Sequence, residues 1–406
     1  MKACVFTLGC KMNEVESLSL GAGLEALGYE VTDKPAFADL YLLNTCAVTK
    51  EAEKKSRQAI MRLRKYNPNA PVIVFGCASA HHPEEFFRRE GVVFVSGAQG
   101  KDKVLKLLGK EGVYPDCGER AFTELPSPKQ TKTRVYLPVQ DGCDRFCSYC
   151  LIPYLRGRSR SRSAEKIYEE ARKTSAKEIV LTGIDLSSYR DGQTDLGDLV
   201  YGLKDLPVRV RLGSLEPQII TPAFLQKLKE AGNAMPHFHL SLQSGSDRVL
   251  RLMNRKYTRA EYLEKCALIY KYFENAAVTT DIIAGFSGES EEDFSESLSI
   301  IEEAGLARVH AFPYSPREGT KAYGREEIPD AVKKRRTAEL IAAADKAEDK
   351  FLQAQIGRQA VVLFESDGGY TENYVRVFAD GAREGELQKV RITKIINHGA
   401  IAVIEE

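Results

Sequence analysis

The stretch Gly142-Cys143-Asp144-Arg145-Phe146-Cys147-Ser148-Tyr149-Cys150 places three thiols at CxxxCxxC spacing on one short loop. At that spacing the sulfurs can converge on a single centre. Structural zinc takes four ligands, and a local fourth is missing, since the next Cys is Cys266 and the next His is His237. Iron–sulfur clusters are normally held by four thiolates. Three thiolates on a cubane leave one iron open, and an open iron can chelate a small molecule. The rival reading is three cysteines clustered by chance or used for zinc.

Composition narrows the class. The 406 residues carry 58 basic and 57 acidic side chains, a net charge of +1. No global positive field marks a nucleic-acid binder, so any such contact must use local patches. The length implies two or three domains with ample core. Nine cysteines, an odd number, do not read as a disulfide framework; they read as reduced thiols in a cytosol, used for metal or redox chemistry. No run approaches the roughly 18 apolar residues of a membrane span, and residues 1–9 are too soon interrupted for a secretory signal. The expectation is a soluble cytoplasmic protein.

Upstream of the loop, residues 3–8, 40–44 and 72–75 read as buried strands, and 14–27 and 51–66 as helices. Alternation of this kind implies a parallel sheet with right-handed crossovers. A cysteine follows each strand: Cys10, Cys46 and Cys77. All three fall at the carboxyl edge of one sheet, where open α/β folds bind ligands. The alternative is that they are buried structural thiols. Cys4 and Cys266 read as packing residues and Cys117 as a turn residue; none is assigned to metal. His81 and His82 read as surface residues.

A polar stretch at 127–133 reads as a linker. Beyond it, candidate strands at 135–139, 178–181, 208–212, 237–242, 278–284 and 308–313 alternate with helices at 164–174, 222–231, 259–273 and 291–304. Six units predict a partial (β/α)6 barrel, with its site at the carboxyl ends of the strands. There the sequence is small and polar, with Thr182, Gly183, Ser214, Glu216, Gln243 and Asp281 able to bind an amino-acid group and a ribose; ordinary strand-to-helix turns use the same residues. Arg156, Arg158, Arg160 and Arg162 follow the cysteine loop and suit phosphate contacts with RNA, although a charge run is also the pattern of a solvated face.

A charged helix at 330–353 precedes a change to strands at 360–365, 374–379, 388–396 and 400–405, a small barrel of OB-like size. Lys389, Arg391 and Lys394, with Tyr370, Asn373 and Tyr374, could supply phosphate and stacking contacts; a purely structural barrel is the alternative. The fold class is thus α/β throughout the first two parts. The domains are read as 1–126, 135–352 and 353–406.

The cysteine loop with Tyr149 before its last Cys, then Ile152-Pro153 and Arg156-Gly157-Arg158, resembles the methylthiotransferase branch of the radical S-adenosylmethionine (SAM) enzymes. So do Gly9-Cys10-Lys11-Met12-Asn13 with Glu16, Asn44-Thr45-Cys46 with Thr49, and Gly76-Cys77. The resemblance implies two [4Fe–4S] clusters, one on Cys143, Cys147 and Cys150 that cleaves SAM to a radical, and one on Cys10, Cys46 and Cys77 that presents the sulfur. It assigns SAM contacts to Tyr149, Thr182, Gly183, Ser214, Glu216, Gln243 and Asp281. The C-terminal stretch resembles the TRAM domain, an RNA-binding appendage of tRNA-modifying enzymes.

Two departures from the family pattern are His81-His82 and Ser287 in Phe286-Ser287-Gly288-Glu289. The run Gly369-Tyr370-Thr371-Glu372-Asn373-Tyr374-Val375-Arg376-Val377 looks most like the subgroup acting on N6-threonylcarbamoyladenosine (t6A) at tRNA position 37. That implies tRNA as partner, with an electron donor such as flavodoxin or ferredoxin and a sulfur source left open. The alternatives are a methylthiotransferase for isopentenyladenosine tRNA or a ribosomal protein, and, from another class, a non-catalytic iron–sulfur electron carrier or RNA-binding protein.

Overall fold

The computed structural model describes residues 1–116, 118–128 and 133–405, so Cys117 and the middle of the polar stretch lie outside the described residues. The N-terminal part is a parallel six-stranded sheet in the order Glu30–Thr32, Lys2–Thr7, Leu40–Thr45, Val72–Gly76, Val92–Ser96, Gly112–Tyr114. Leu40–Thr45 and Val72–Gly76 are buried at every position, as central parallel strands covered on both faces must be. The helix expected at 14–27 is Lys11–Ala26 and starts directly after Cys10. The second helix, Lys50–Arg64, is capped by Thr49, whose hydroxyl accepts from the Ala52 amide at 3.1 Å.

The central part supplies all six expected strands in two parallel groups. Arg134–Pro138, Glu178–Thr182 and Arg209–Leu212 form one; His237–His239, Ala277–Ala284 and Arg308–Pro313 form the other. Parallel bridges Val210↔Ala234 and Leu215↔Leu240 connect them into one open arc. Along each strand one face feeds the core shared with the helices: Leu137, Ile179, Leu181, Val210, Leu212, Phe238 and Val278. The alternate positions include Arg134, Glu178, Arg209, Arg211, His237, His239 and Thr279 beside apolar Val180 and Ala277. A closed barrel of this class fills its lumen with layers of branched apolar side chains. Here charged and polar side chains take much of that place.

The C-terminal part is a closed five-stranded barrel around Val362, Phe364, Val377, Val390 and Ile392. Its strands are Gln359–Glu365, Gly368–Tyr370, Arg376–Phe378, Leu387–Ile396 and Gly399–Ile404. Sequence reading missed Gly368–Tyr370 because it is glycine-rich. A Cβ on Gly369 would lie 2.4 Å from Val362 Cγ1, so only glycine lets that strand close the barrel.

This small barrel docks on the amino-terminal ends of the central strands. Arg209 donates to the Val361 carbonyl at 2.6 Å and Arg211 to the Glu372 carbonyl at 3.0 Å. Glu178, fully buried, holds both neighbours of that contact: its carboxylate accepts from Arg134 Nε at 2.6 Å and from Arg211 Nη2 at 2.9 Å. Breaking a buried pair by removing one partner typically costs about 3–5 kcal/mol. Glu178→Ala should therefore lower Tm by that measure and loosen the C-terminal barrel, seen as faster amide exchange over residues 359–405. Wild-type stability in this variant would show the docking to be independent of Glu178.

Candidate functional site

Cys10, Cys46 and Cys77 each follow a strand of the N-terminal sheet and meet at its carboxyl edge. Cys10 caps the Lys11–Ala26 helix and Cys77 opens the short helix Cys77–His81. The loops are packed tightly enough to require glycine: a Cβ on Gly9 (φ +114°) would lie 3.2 Å from Cys46 Sγ, and one on Gly76 (φ +109°) 2.6 Å from the Thr45 carbonyl. Asn13 ties the loops together, donating from Nδ2 to the Leu8 and Thr45 carbonyls at 2.8 and 3.0 Å. Ser56 Oγ accepts from the Cys46 amide at 3.1 Å.

The second centre is the loop of Cys143, Cys147 and Cys150. Gly142 (φ +74°) is obligatory there, since a Cβ would sit 2.0 Å from the Arg158 carbonyl. The Arg145 amide donates to Cys143 Sγ at 3.4 Å. From beneath, the turn after helix Asp247–Leu252 braces the loop: the Ser148 amide donates to the Met253 carbonyl at 2.9 Å, and Asn254 Nδ2 to the Phe146 carbonyl at 2.9 Å. Arg255, buried, links this loop to the barrel. Its Nη1 donates to Cys147 Sγ at 3.3 Å and its Nη2 to both oxygens of Glu216 at 2.8 and 2.7 Å. Arg255 gave no signal in the sequence, because it lies far along the chain in a turn of otherwise ordinary composition.

The other expected ligand contacts lie at the same barrel mouth, with one exception. Tyr149 packs edge-on against Phe286 at 6.3 Å. Thr182 ends its strand and Gly183 follows; Ser214 is exposed just past Arg209–Leu212. Gln243 is held at φ +71° just past His237–His239, its amide donating to the Asp281 carbonyl at 2.8 Å. Such a left-handed backbone at a bulky residue is a local strain of the kind found at binding sites. Asp281 itself is not at a strand end. It lies within Ala277–Ala284, lumen-facing, 3.4 Å from His239 Nε2.

The arginine run divides. Arg158 is exposed, 2.8 Å from Asp144, with its guanidinium 5.3 Å from the Phe146 ring centroid. Arg156, Arg160 and Arg162 are buried. Arg160 pairs with Asp141 at 2.8 Å, and Arg162 with Glu124 at 2.9 Å and Glu170 at 2.7 Å. Arg156 is enclosed by Glu16, Asp141 and Asn13. Their carboxylate partners come from distant segments, so these three arginines face the interior and not an RNA. Asn373 and Tyr374 are corrected likewise. Asn373 is buried, donating to the Asn275 carbonyl at 3.0 Å. Tyr374 sits in a turn at φ +69°, stacked between Tyr370 at 4.6 Å and His237 at 4.7 Å. Both serve the docking of the small barrel. His81 is also less superficial than expected, its Nδ1 3.1 Å from buried Glu53 and its Nε2 3.2 Å from the Glu318 carbonyl.

Both centres fit a multi-iron group. Among the described residues, the groups of three possible ligands with all donor atoms within 4.8 Å are Glu53–His81–His82 and Asp345–Glu348–His398; neither cysteine triad is that tight. Zinc–sulfur bonds of about 2.3 Å would draw three thiolates to about 3.8 Å apart, whereas a cubane spreads them wider. Burial pushes the Cys46 thiol up to about 11 and the Cys143 and Cys150 thiols up to about 12, and raises Cys77 as well. These thiols hold their protons at neutral pH until metal takes the sulfur.

Residues 137–301 match the Radical SAM superfamily and residues 2–97 match the Uncharacterized protein family UPF0004. The chain is 35% identical over 422 residues to the threonylcarbamoyladenosine tRNA methylthiotransferase MtaB of Bacillus subtilis (strain 168), covering 96% of this chain and 93% of that protein. It is 32% identical to the tRNA-2-methylthio-N(6)-dimethylallyladenosine synthase of Oceanobacillus iheyensis (strain DSM 14371 / CIP 107618 / JCM 11309 / KCTC 3954 / HTE831), covering 97% and 82%. Among solved structures, the radical SAM methyltransferase TsrM of Kitasatospora setae, with cobalamin and a [4Fe-4S] cluster bound, aligns at TM-score 0.57 and 13% identity over 78% of this chain and 76% of that one; this likeness speaks for the fold. With two three-cysteine centres in one chain and full-length identity of this order, the chain belongs to the radical SAM methylthiotransferase family of enzymes.

Proposed function

We propose that this enzyme replaces the C2 hydrogen of t6A at tRNA position 37 with a methylthio group. The observation that supports it most is the pair of separate three-thiol centres, one at the carboxyl edge of each parallel sheet. When bound, the two [4Fe–4S] clusters and SAM supply one-electron cleavage of the sulfonium, and the sulfur and methyl group that replace the hydrogen.

The chain's own residues hold, orient and shield. Cys143, Cys147 and Cys150 would hold the cluster that meets SAM, and Cys10, Cys46 and Cys77 the other. Arg255, bridging Cys147 Sγ and the Glu216 carboxylate, fixes an anionic acceptor at a set place beside the first centre. Glu216 with Tyr149, Thr182, Gly183, Ser214, Gln243 and Asp281 would line the SAM site. Exposed Arg158 at the mouth, and Lys389 and Lys394 on the small barrel, are placed for tRNA phosphates. The domain limits 1–126, 135–352 and 353–406 divide these tasks. A low-potential one-electron donor of the flavodoxin or ferredoxin type would feed the first cluster, in the cytoplasm. Among the described residues, no helix is long and apolar enough to cross a membrane.

Anaerobic incubation of reconstituted enzyme with SAM, reductant and t6A-bearing tRNA, followed by nucleoside mass spectrometry, should yield 2-methylthio-t6A. Isopentenyladenosine tRNA run in parallel should stay unmodified, and its modification in place of t6A would reverse the substrate assignment. Arg255→Gln should retain full iron content yet form 5′-deoxyadenosine at least tenfold more slowly. Wild-type rates would remove Arg255 from the site.

A further inference from the structure

Arg156 is fully buried, on the segment that continues from the Cys143–Cys150 loop through the short helix Ile152–Leu155. Its side chain leaves that segment and enters the N-terminal half. There Nη1 donates to Glu16 Oε1 and to Asp141 Oδ1, both at 2.9 Å, while Nη2 donates to Asn13 Oδ1 at 2.8 Å and Glu16 Oε2 at 3.3 Å. The third donor, Nε, is buried without any hydrogen-bond partner. A buried unmatched donor costs free energy and calls for an explanation. The same Asn13 Oδ1 that accepts from Arg156 also accepts from Cys10 Sγ at 3.7 Å, which joins the guanidinium to the N-terminal thiols.

The charges around it point the same way. Lys101 pairs with Glu16, Arg156 with Glu16 and Asp141, and Arg160 with Asp141. This ion-paired chain contains one more cation than carboxylates. A cubane on three thiolates carries net negative charge, and positive charge or N–H donation toward its sulfurs raises its reduction potential. An arginine serving only to pair with Glu16 and Asp141 would account for the two Nη groups, but not for the surplus charge or the unpartnered Nε.

We propose that Arg156 is a positioning residue for the N-terminal cluster, lent by the SAM half of the chain: its guanidinium supplies positive charge and an N–H to the sulfurs around the group held by Cys10, Cys46 and Cys77, raising that group's potential. This rests on the reading of those cysteines as cluster ligands.

The test uses the full chain with Cys143, Cys147 and Cys150 replaced by Ala, so that the N-terminal cluster alone is loaded. Its midpoint potential is titrated anaerobically by electron paramagnetic resonance. Adding Arg156→Gln should move the potential to more negative values, and Arg156→Lys, which keeps the charge and loses the fork, should fall between. Arg162→Gln, at a buried arginine paired with Glu124 and Glu170, should lower Tm and leave the potential in place. Because Arg156→Gln strands Glu16 and Asp141, the Lys variant carries the test if the Gln variant does not fold. Unshifted potentials at full iron content would overturn the proposal. A parent that takes up no iron would overturn the ligand reading beneath it.

Discussion

The molecule is organised around a buried chain of charges, Lys101–Glu16–Arg156–Asp141–Arg160, that runs from the N-terminal sheet into the central barrel. Charges taken out of water are tolerable only while each keeps its partner. Separating the two halves would leave Glu16 without Arg156, so the halves are committed to one arrangement. The apolar core adds to this, since Leu151 and Leu155 of the segment after the cysteine loop pack into the core of the N-terminal sheet. The ionic and apolar contacts together fix how the two thiol centres are arranged, which is what a reaction shared between two cofactors requires. Domain motion would change the path between radical and sulfur; buried ion pairs resist it.

A second buried network closes the other end. Glu178 between Arg134 and Arg211 sits where a packed barrel would carry apolar layers, and the docked C-terminal barrel covers it. The small barrel thus covers the amino-terminal end of the central strands, opposite the cysteine loop.

Much of this was legible in the sequence where the signal is local. The CxxxCxxC loop declares itself by spacing, and Cys10, Cys46 and Cys77 by their shared place after buried strands. What sequence could not give is which charged residues find partners far along the chain. Arg156, Arg160 and Arg162 read as a basic surface because Glu16, Glu124, Asp141 and Glu170 are invisible as their neighbours until the chain folds. Asn13 and Glu16 carried a faint signal, lying i and i+3 on the helix after Cys10 and so on one face. Tyr374 read as a strand residue, since its neighbours alternate, and only its positive φ in the folded chain shows the turn. Asp281 was grouped with the strand-end residues although the strand read at 278–284 already placed it mid-strand, as Ala277–Ala284 does in the structure.

The central claim is that one chain carries two independent clusters on two separate cysteine sets. Replacing Cys10, Cys46 and Cys77 together with Ala, then measuring iron and SAM cleavage under anaerobic conditions, addresses it most directly. The account predicts loss of about half the iron with 5′-deoxyadenosine still formed. Iron content unchanged by the triple replacement would contradict it.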